Sequence, residues 1–363
     1  MGDLGTLIPF LTAYIVILKM NAGGIFLAFG FALIAVGFIY RTPFPIQPMK
    51  AIGAAAVSHT AIAAGLNGTT VAAAALTTGL LWLVLAVTGL ASRLSQWIPR
   101  AALLGVILGL GYSFMLEGLR YMSVQPWIAG ALLAVTLLMV SRPKLPTMLC
   151  LMLIGFVIAL IQTPDLIHEL TAIQPSFQLP AYAWGKFTPS DLWVGFILLA
   201  LPQLPLTFGN AFISITEENN KLFPDRLVSQ RAVAWSTGFM NLGASAIGAV
   251  PMCHGAGGMA AHVMFGARTG GASIILGGIL LLLGFFFSAS IETIFRLFPQ
   301  SVLGVMLFMA GLQLALGSRD SEADKTDRFV IIATAAIAIW NVGLAVVFGV
   351  TVHHFAKKGW LKF

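Results

Sequence analysis

Apolar residues run along this chain in long blocks, with polar positions gathered into short gaps between them. A helix crossing the hydrocarbon layer needs about 20 residues at roughly 1.5 Å each. Blocks of that order lie at 4–18, 23–40, 48–65, 70–91, 101–118, 124–140 and 145–163. After a more polar stretch at 164–190, seven more follow at 191–213, 228–249, 255–265, 271–290, 301–317, 327–341 and 342–355. The pattern predicts an all-α polytopic membrane protein with about fourteen transmembrane segments. Several are short, and the last two also read as one long helix, which would bring the number down toward twelve.

Two blocks begin on a break. One reads TPFPIQPMKAIGAAAVS from Thr42 to Ser58, the other AVPMCHGAGGMAAH from Ala249 to His262. Proline removes a backbone donor and biases the residue before it to extended geometry. Each stretch is therefore expected to be a short extended piece turning into a helix at membrane depth. Such backbone is tolerated only where it is buried in protein or lines a cavity. The chain also repeats itself: IPRAALLGVILGLGYSFMLEG from Ile98 resembles FPQSVLGVMLFMAGLQLALG from Phe298. Pro99 pairs with Pro299, and Pro48-Met49 with Pro251-Met252, at offsets of 200 and 203. Seven segments, an odd number, separate the equivalents. The expected organisation is a seven-plus-seven inverted repeat, 1–163 and 191–363, joined by the loop 164–190. In secondary transporters, paired interrupted helices of this kind mark the binding site.

Composition agrees with a bilayer as solvent. Of 363 residues, 58% are hydrophobic and 9% charged, where soluble domains carry roughly 25% charged residues. The net charge of +7 does not point to nucleic acid, because the cations sit singly or in pairs between apolar blocks. With the N-terminus inside, fourteen lysines and arginines fall in inside loops and only Lys19, Arg120, Lys186 and Arg296 outside. That follows the positive-inside rule and predicts cytoplasmic N- and C-termini in a cell (inner or plasma) membrane. The two cysteines, Cys150 and Cys253, lie in apolar segments and make no disulfide framework. No Ser-His-Asp set, carboxylate pair or GxGxxG is present, so neither an enzyme nor a cofactor is expected. Cys253-His254 does not predict a metal, since adjacent residues rarely ligate one ion.

The site expected from these features lies between the two broken helices. A helix N-terminus presents unpaired amides and partial positive charge, which suits anions. Two termini aimed at one point would cradle an oxyanion. The candidate contacts are Gln47, Pro48, Met49 and Lys50 on one side and Cys253, His254, Gly255, Ala256, Gly257 and Gly258 on the other. Lys50 is read as counter-charge to a dianion, or else as an ion-pair partner of Asp3, Glu117 or Glu217. Gln203 and Asn210, with Thr207, stand in the apolar run LALPQLPLTFGNAFISITEEN and face either a pathway or a neighbouring helix. Asp3, Thr6 and Glu217 are further candidates for the pathway or for coupling. His59 and His262 read as proton carriers or buried structural histidines. Gly105, Gly109, Gly277 and Gly278 read as close-packing positions.

Four motifs carry a family resemblance: GDLGTLIP (Gly2 to Pro9), PFPIQPMKAIGAAA (Pro43 to Ala56), LPQLPLTFGNA (Leu201 to Ala211) and PMCHGAGGMAAHVMFGARTGG (Pro251 to Gly271). Together they resemble the molybdate-transporter branch of the sulfate permease superfamily. The resemblance implies core and gate domains, with substrate held between the third and tenth helices. It further implies a secondary transporter importing molybdate, with tungstate or sulfate as alternative cargo, by proton symport. A homodimer is a further expectation. The wider family often has a glutamate midway along the eighth helix. Here Asn210 to Ser214 offers no carboxylate, which leaves proton coupling open. The wider family also carries a cytoplasmic regulatory domain; the chain ends at Phe363, so none is expected. An anion channel on the same scaffold is the alternative.

Overall fold

In the computed structural model the described residues are 4–56, 66–90, 98–140, 147–264, 266–295, 297–318 and 324–361. The first half runs through α1 (Leu4–Thr12), its π-helical extension Ala13–Ile17, α2 (Ala22–Tyr40), strand β1 (Gln47–Pro48), α3 (Lys50–Ala56), α4 (Gly68–Thr88), α5 (Arg100–Met122), α6 (Pro126–Val140) and α7 (Thr147–Gln162). A connection follows that contains α8 (Leu166–Thr171). Its backbone is tied over the ends of two helices by Ser176 N–H to Phe286 O, Gln178 N–H to Phe285 O and Ala183 N–H to Ala246 O.

The second half opens with α9 (Pro189–Val194), α10 (Leu201–Phe208) and α11 (Ile215–Leu222), joined end to end by π turns at Gly195–Ala200 and Gly209–Ser214. Pro202 and Pro205 lack an N–H and would clash with carbonyls one turn back in a regular helix. The wider π turn just before them relieves that crowding without ending the helix. Then come α12 (Gln230–Ala246), strand β2 (Met252–Cys253), α13 (Ala256–Met264), α14 (Gly271–Phe286), α15 (Ile291–Phe295), α16 (Gln300–Leu316), α17 (Lys325–Trp340) and α18 (Val342–Lys357).

The last two helices are separate, which corrects the reading of one long helix. Asn341 between them is extended (φ −151°, ψ 114°), and its side chain caps α18 by accepting from Leu344 N–H. The two then fold against each other and against α5. Among the described residues, four helical stretches, Ala22–Tyr40, Gly68–Thr88, Arg100–Met122 and Pro189–Phe208, are long and apolar enough to cross a membrane by length and composition.

Helix contacts come in matched sets. α2 lies on α14 as α12 lies on α4; α6 and α7 lie on α16 as α17 and α18 lie on α5; α1 meets α16 as α10 meets α5. The pair α5 and α16 is its own counterpart. The repeated sequences build these two helices, and both start after a proline N-cap, Pro99 and Pro299. Glycine lets them touch: Gly111 lies against the Gly311 carbonyl and Gly118 against that of Gly304. Gly30 with Gly277 does the same for α2 and α14. Gly105 and Gly109 are filled by α17, as expected of packing glycines, whereas Gly278 faces open space.

A Cβ at Gly111 would sit 2.8 Å from the Gly311 carbonyl oxygen and from the Ala315 nitrogen. Gly111→Leu should therefore destabilise the detergent-solubilised protein by about 1–3 kcal/mol or more. Gly130 in α6 is exposed, with nothing within 4 Å of its Cβ position. Gly130→Ala should instead stabilise by about 0.5–1 kcal/mol through helix propensity. Thermal unfolding of both variants checks the contrast.

Candidate functional site

β1 and β2 form an antiparallel pair, with Gln47 opposite Cys253 and Pro48 opposite Met252. Met49 N–H donates to Pro251 O at 3.0 Å at the next rung. In such a ladder alternate residues turn their backbone groups outward. Met252 is one of them. Its N–H and carbonyl are both taken by the carboxamide of Asn241 in α12, at 2.8 and 2.7 Å. Pro48, opposite, has no N–H to leave unsatisfied. Proline thus falls where a donor would be orphaned at depth, and Asn241 serves the donor and acceptor of Met252.

The segment leading into β1 is held from three sides. His254 Nδ1 lies 3.0 Å from the Pro45 carbonyl, and its Nε2 lies 2.8 Å from Ser236 Oγ, which in turn meets the Tyr40 hydroxyl at 2.8 Å. A carbonyl only accepts, so Nδ1 carries a proton, while Nε2 faces the Ser236 hydroxyl. Ser273 donates to Phe44 O and Thr42 donates to Asn219 Oδ1, each at 2.8 Å. His254, expected as a donor to an anion, is a buried brace with both ring nitrogens engaged.

The two broken helices differ at their starts. α3 begins two residues after Pro48, whereas α13 begins five after Pro251, the difference being Cys253 to Gly255. The first-turn amides of α3 are not bare. Ala51 and Ile52 N–H both donate to Gln203 Oε1, at 2.8 and 3.3 Å, and Gln203 Nε2 donates to Thr207 Oγ1 at 3.0 Å. Gln203 thus bonds across to α3, steadied by Thr207 of its own helix, which corrects the expectation of two open termini on the α3 side. On the other side, Ala256 and Gly257 open α13, where first-turn amides have no acceptor within the helix. Gly257 is exposed, and a Cβ there would meet nothing within 4 Å.

The remaining expected residues divide. Gln47, Met49 and Cys253 are buried at the strand pair; Gly255 and Gly258 are buried, and Lys50 and Ala256 half-buried, where the helices start. Glu217 is exposed on α11. Asn210 lies in the π turn Gly209–Ser214 and Thr6 in α1, both described by backbone alone; Asp3 and His59 lie outside the described residues. His262 is buried in α13.

One residue at this place was not singled out in the sequence: Tyr14. It is fully buried, and its hydroxyl has no hydrogen-bond partner among the described residues. A lone tyrosine in an apolar block carries no signal of that. Two hollows, of about 400 and 410 Å³, open elsewhere. One is lined by Lys19, Asn67, Lys186 and Phe187, the other by Phe223, Asp225, Arg226 and Arg268; neither includes the strand pair.

Solved structures define the class. The chain is similar to SLC26A9, with a TM-score of 0.70 at 13% identity, covering all of this chain and 65% of that one, just under two thirds. It is also similar to the transmembrane domain of the cyanobacterium bicarbonate transporter BicA, with a TM-score of 0.62 at 15% identity over 95% of this chain and 97% of that one. The likeness shows the fold: this is an all-α polytopic membrane protein of the architecture shared by SLC26A9 and BicA. The family follows from sequence. A family model described as "Molybdate transporter of MFS superfamily" matches residues 1–114 and 195–314. Molybdate transporter 2 of Arabidopsis thaliana is 31% identical over 96% of this chain and 83% of its own length; Molybdate transporter 1 of the same plant is 29% identical over 93% and 82%. The chain belongs to the molybdate transporter family.

Asn241→Leu would strand the Met252 N–H and carbonyl in a buried place. A buried group left unpaired costs about 1–3 kcal/mol. The variant should therefore lose about 3 kcal/mol, read as a drop in unfolding temperature that Ser214→Ala, at a half-buried hydroxyl, does not reproduce.

Proposed function

We propose that this chain is a secondary active transporter importing a tetrahedral oxyanion, molybdate foremost, by alternating access. The observation that carries the reading is the start of α13. Its first turn opens on unfilled space at Gly257, with half-buried Ala256 beside it. Helix N-termini of this kind hold anions through amide donors and the dipole. Lys50, the first residue of α3 on the neighbouring strand's end, supplies the counter-charge. The names of the curated relatives favour molybdate as cargo; tungstate and sulfate share its charge and shape.

On the α3 side the Gln203 carboxamide oxygen sits on two amides where a cargo oxygen would otherwise sit. The same helix end is then completed by Gln203 when empty and offered to the anion when Gln203 withdraws. The matched helix contacts support a seven-plus-seven inverted repeat, 1–163 and 191–363, with the strand pair at its centre. Alternating access then rocks one set of helices against the other around a fixed site. The chain sits in a cell membrane with both termini cytoplasmic, as the lysine and arginine distribution favours.

Purified protein should bind molybdate by isothermal titration. Lys50→Ala removes a charge-assisted contact of about 1.5–3 kcal/mol and should weaken binding by about tenfold or more. Gly257→Val adds a side chain to open space, so it should weaken binding without lowering the unfolding temperature. Wild-type affinity in both variants would contradict the site. Counterflow of labelled molybdate in proteoliposomes distinguishes a carrier from a channel.

A further inference from the structure

We propose that the hollow at Lys19 and Lys186 is an outer capture site, where the oxyanion gathers, still hydrated, before it reaches the strand pair. The hollow lies where three separate parts of the chain meet. The α1–α2 link brings Lys19 and Asn21, the α3–α4 link and the start of α4 bring Asn67 and Thr69, and the long connection brings Lys186. Gly248, three residues before Pro251, also lines it, so the hollow borders the approach to β2. With the N-terminus inside, these links all fall outside. Lys19 and Lys186 are then two of only four lysines and arginines there, and the fold brings them to one place.

Both lysines stand on fixed backbone. Lys19 is left-handed, with φ 52°, a conformation that glycine or asparagine takes at less cost. Backbone preference therefore does not account for a lysine at that position; its charge does. Met20, next to it, is buried beside Gly68, and its N–H donates to Tyr14 O at 3.2 Å. Lys186 closes a turn, its N–H donating to Ala183 O at 3.1 Å. That turn is tied to the end of α12 by Ala183 N–H to Ala246 O at 2.8 Å and by the Trp184 indole N–H to Ser245 Oγ at 2.9 Å. Among the described residues no acid lines the hollow. Asp191 stands beside Thr69, with its carboxylate already accepting from Thr188 N–H, the Thr188 hydroxyl and the Thr70 hydroxyl. Asp165 and Glu169 belong to α8 and its N-cap, which packs on α7 and α15 instead. A volume of about 400 Å³ has room for about a dozen waters at ~30 Å³ each, far more than one tetrahedral oxyanion fills. An anion there keeps its water and is held weakly, since exposed charges attract by only about 1 kcal/mol. Weak holding suits capture: it raises the local concentration of a dianion without trapping it. The proposal rests on the oxyanion-carrier reading and gives that carrier a second, outer station.

Lys19→Asn combined with Lys186→Gln removes both charges, and asparagine tolerates the left-handed backbone. Uptake of labelled molybdate by the full-length chain in proteoliposomes, at low salt, is the readout. KM should rise about tenfold, the low end of the enrichment that charged clefts give. The maximal rate and the unfolding temperature should stay those of the wild type. In about 1 M inert salt, where screening acts within about 3 Å, variant and wild type should converge. Lys19→Arg with Lys186→Arg should keep the wild-type KM. Arg120→Gln removes an outside cation paired with Glu117, away from the hollow, and should leave KM unchanged. A wild-type KM in the doubly neutralised variant at low salt overturns the proposal. So does a rise that high salt leaves in place or that Arg120→Gln reproduces. If the wild type takes up no oxyanion, the carrier reading falls first and the proposal with it.

Discussion

Everything at the centre of this protein depends on an antiparallel backbone pair two residues long. Extended chain inside a bundle of apolar helices has no water to satisfy it. Each exposed amide or carbonyl must find a protein partner or cost several kcal/mol. β1 and β2 satisfy their facing edges with each other. The outward edge is met by Asn241 on one strand and by the missing donor of Pro48 on the other. Because each strand is followed by a helix, joining the strands also fixes where α3 and α13 begin. The helix starts are positioned by hydrogen bonds rather than by side-chain packing alone.

Around that pair the structure separates into a braced part and an open part. His254, Ser236 and Tyr40 tie α2, α12 and the approach to β1 into one unit, joined by Ser273 from α14 and Asn219 from α11. Glycine-to-carbonyl contacts hold α2 to α14 and α5 to α16. The start of α13 at Gly257 faces open space instead. The proposed alternating access would use this division, with the braced part as frame and the open part left for the cargo.

The membrane class, the two breaks and the repeat were legible in the sequence because they are one-dimensional signals. Apolar block length, proline position and the Pro99/Pro299 match need no knowledge of what packs where. The allocation of polar side chains was not legible. His254 next to three glycines reads as a ligand donor, and only the fold brings Pro45 and Ser236 to its two nitrogens. Gln203 reads as a pathway residue until α10 is laid beside α3. The break between α17 and α18 turns on Asn341, which caps a new helix where hydropathy sees continuity.

The most direct test of the central claim is to locate tungstate, a heavy stand-in for molybdate, in a structure of the full-length chain by its anomalous scattering. The account predicts one strong peak at the first turn of α13, within hydrogen-bond distance of the Ala256 and Gly257 amides and close to Lys50. A peak confined to the surface hollow at Lys19 and Lys186, with the ends of the strand pair empty, would contradict it.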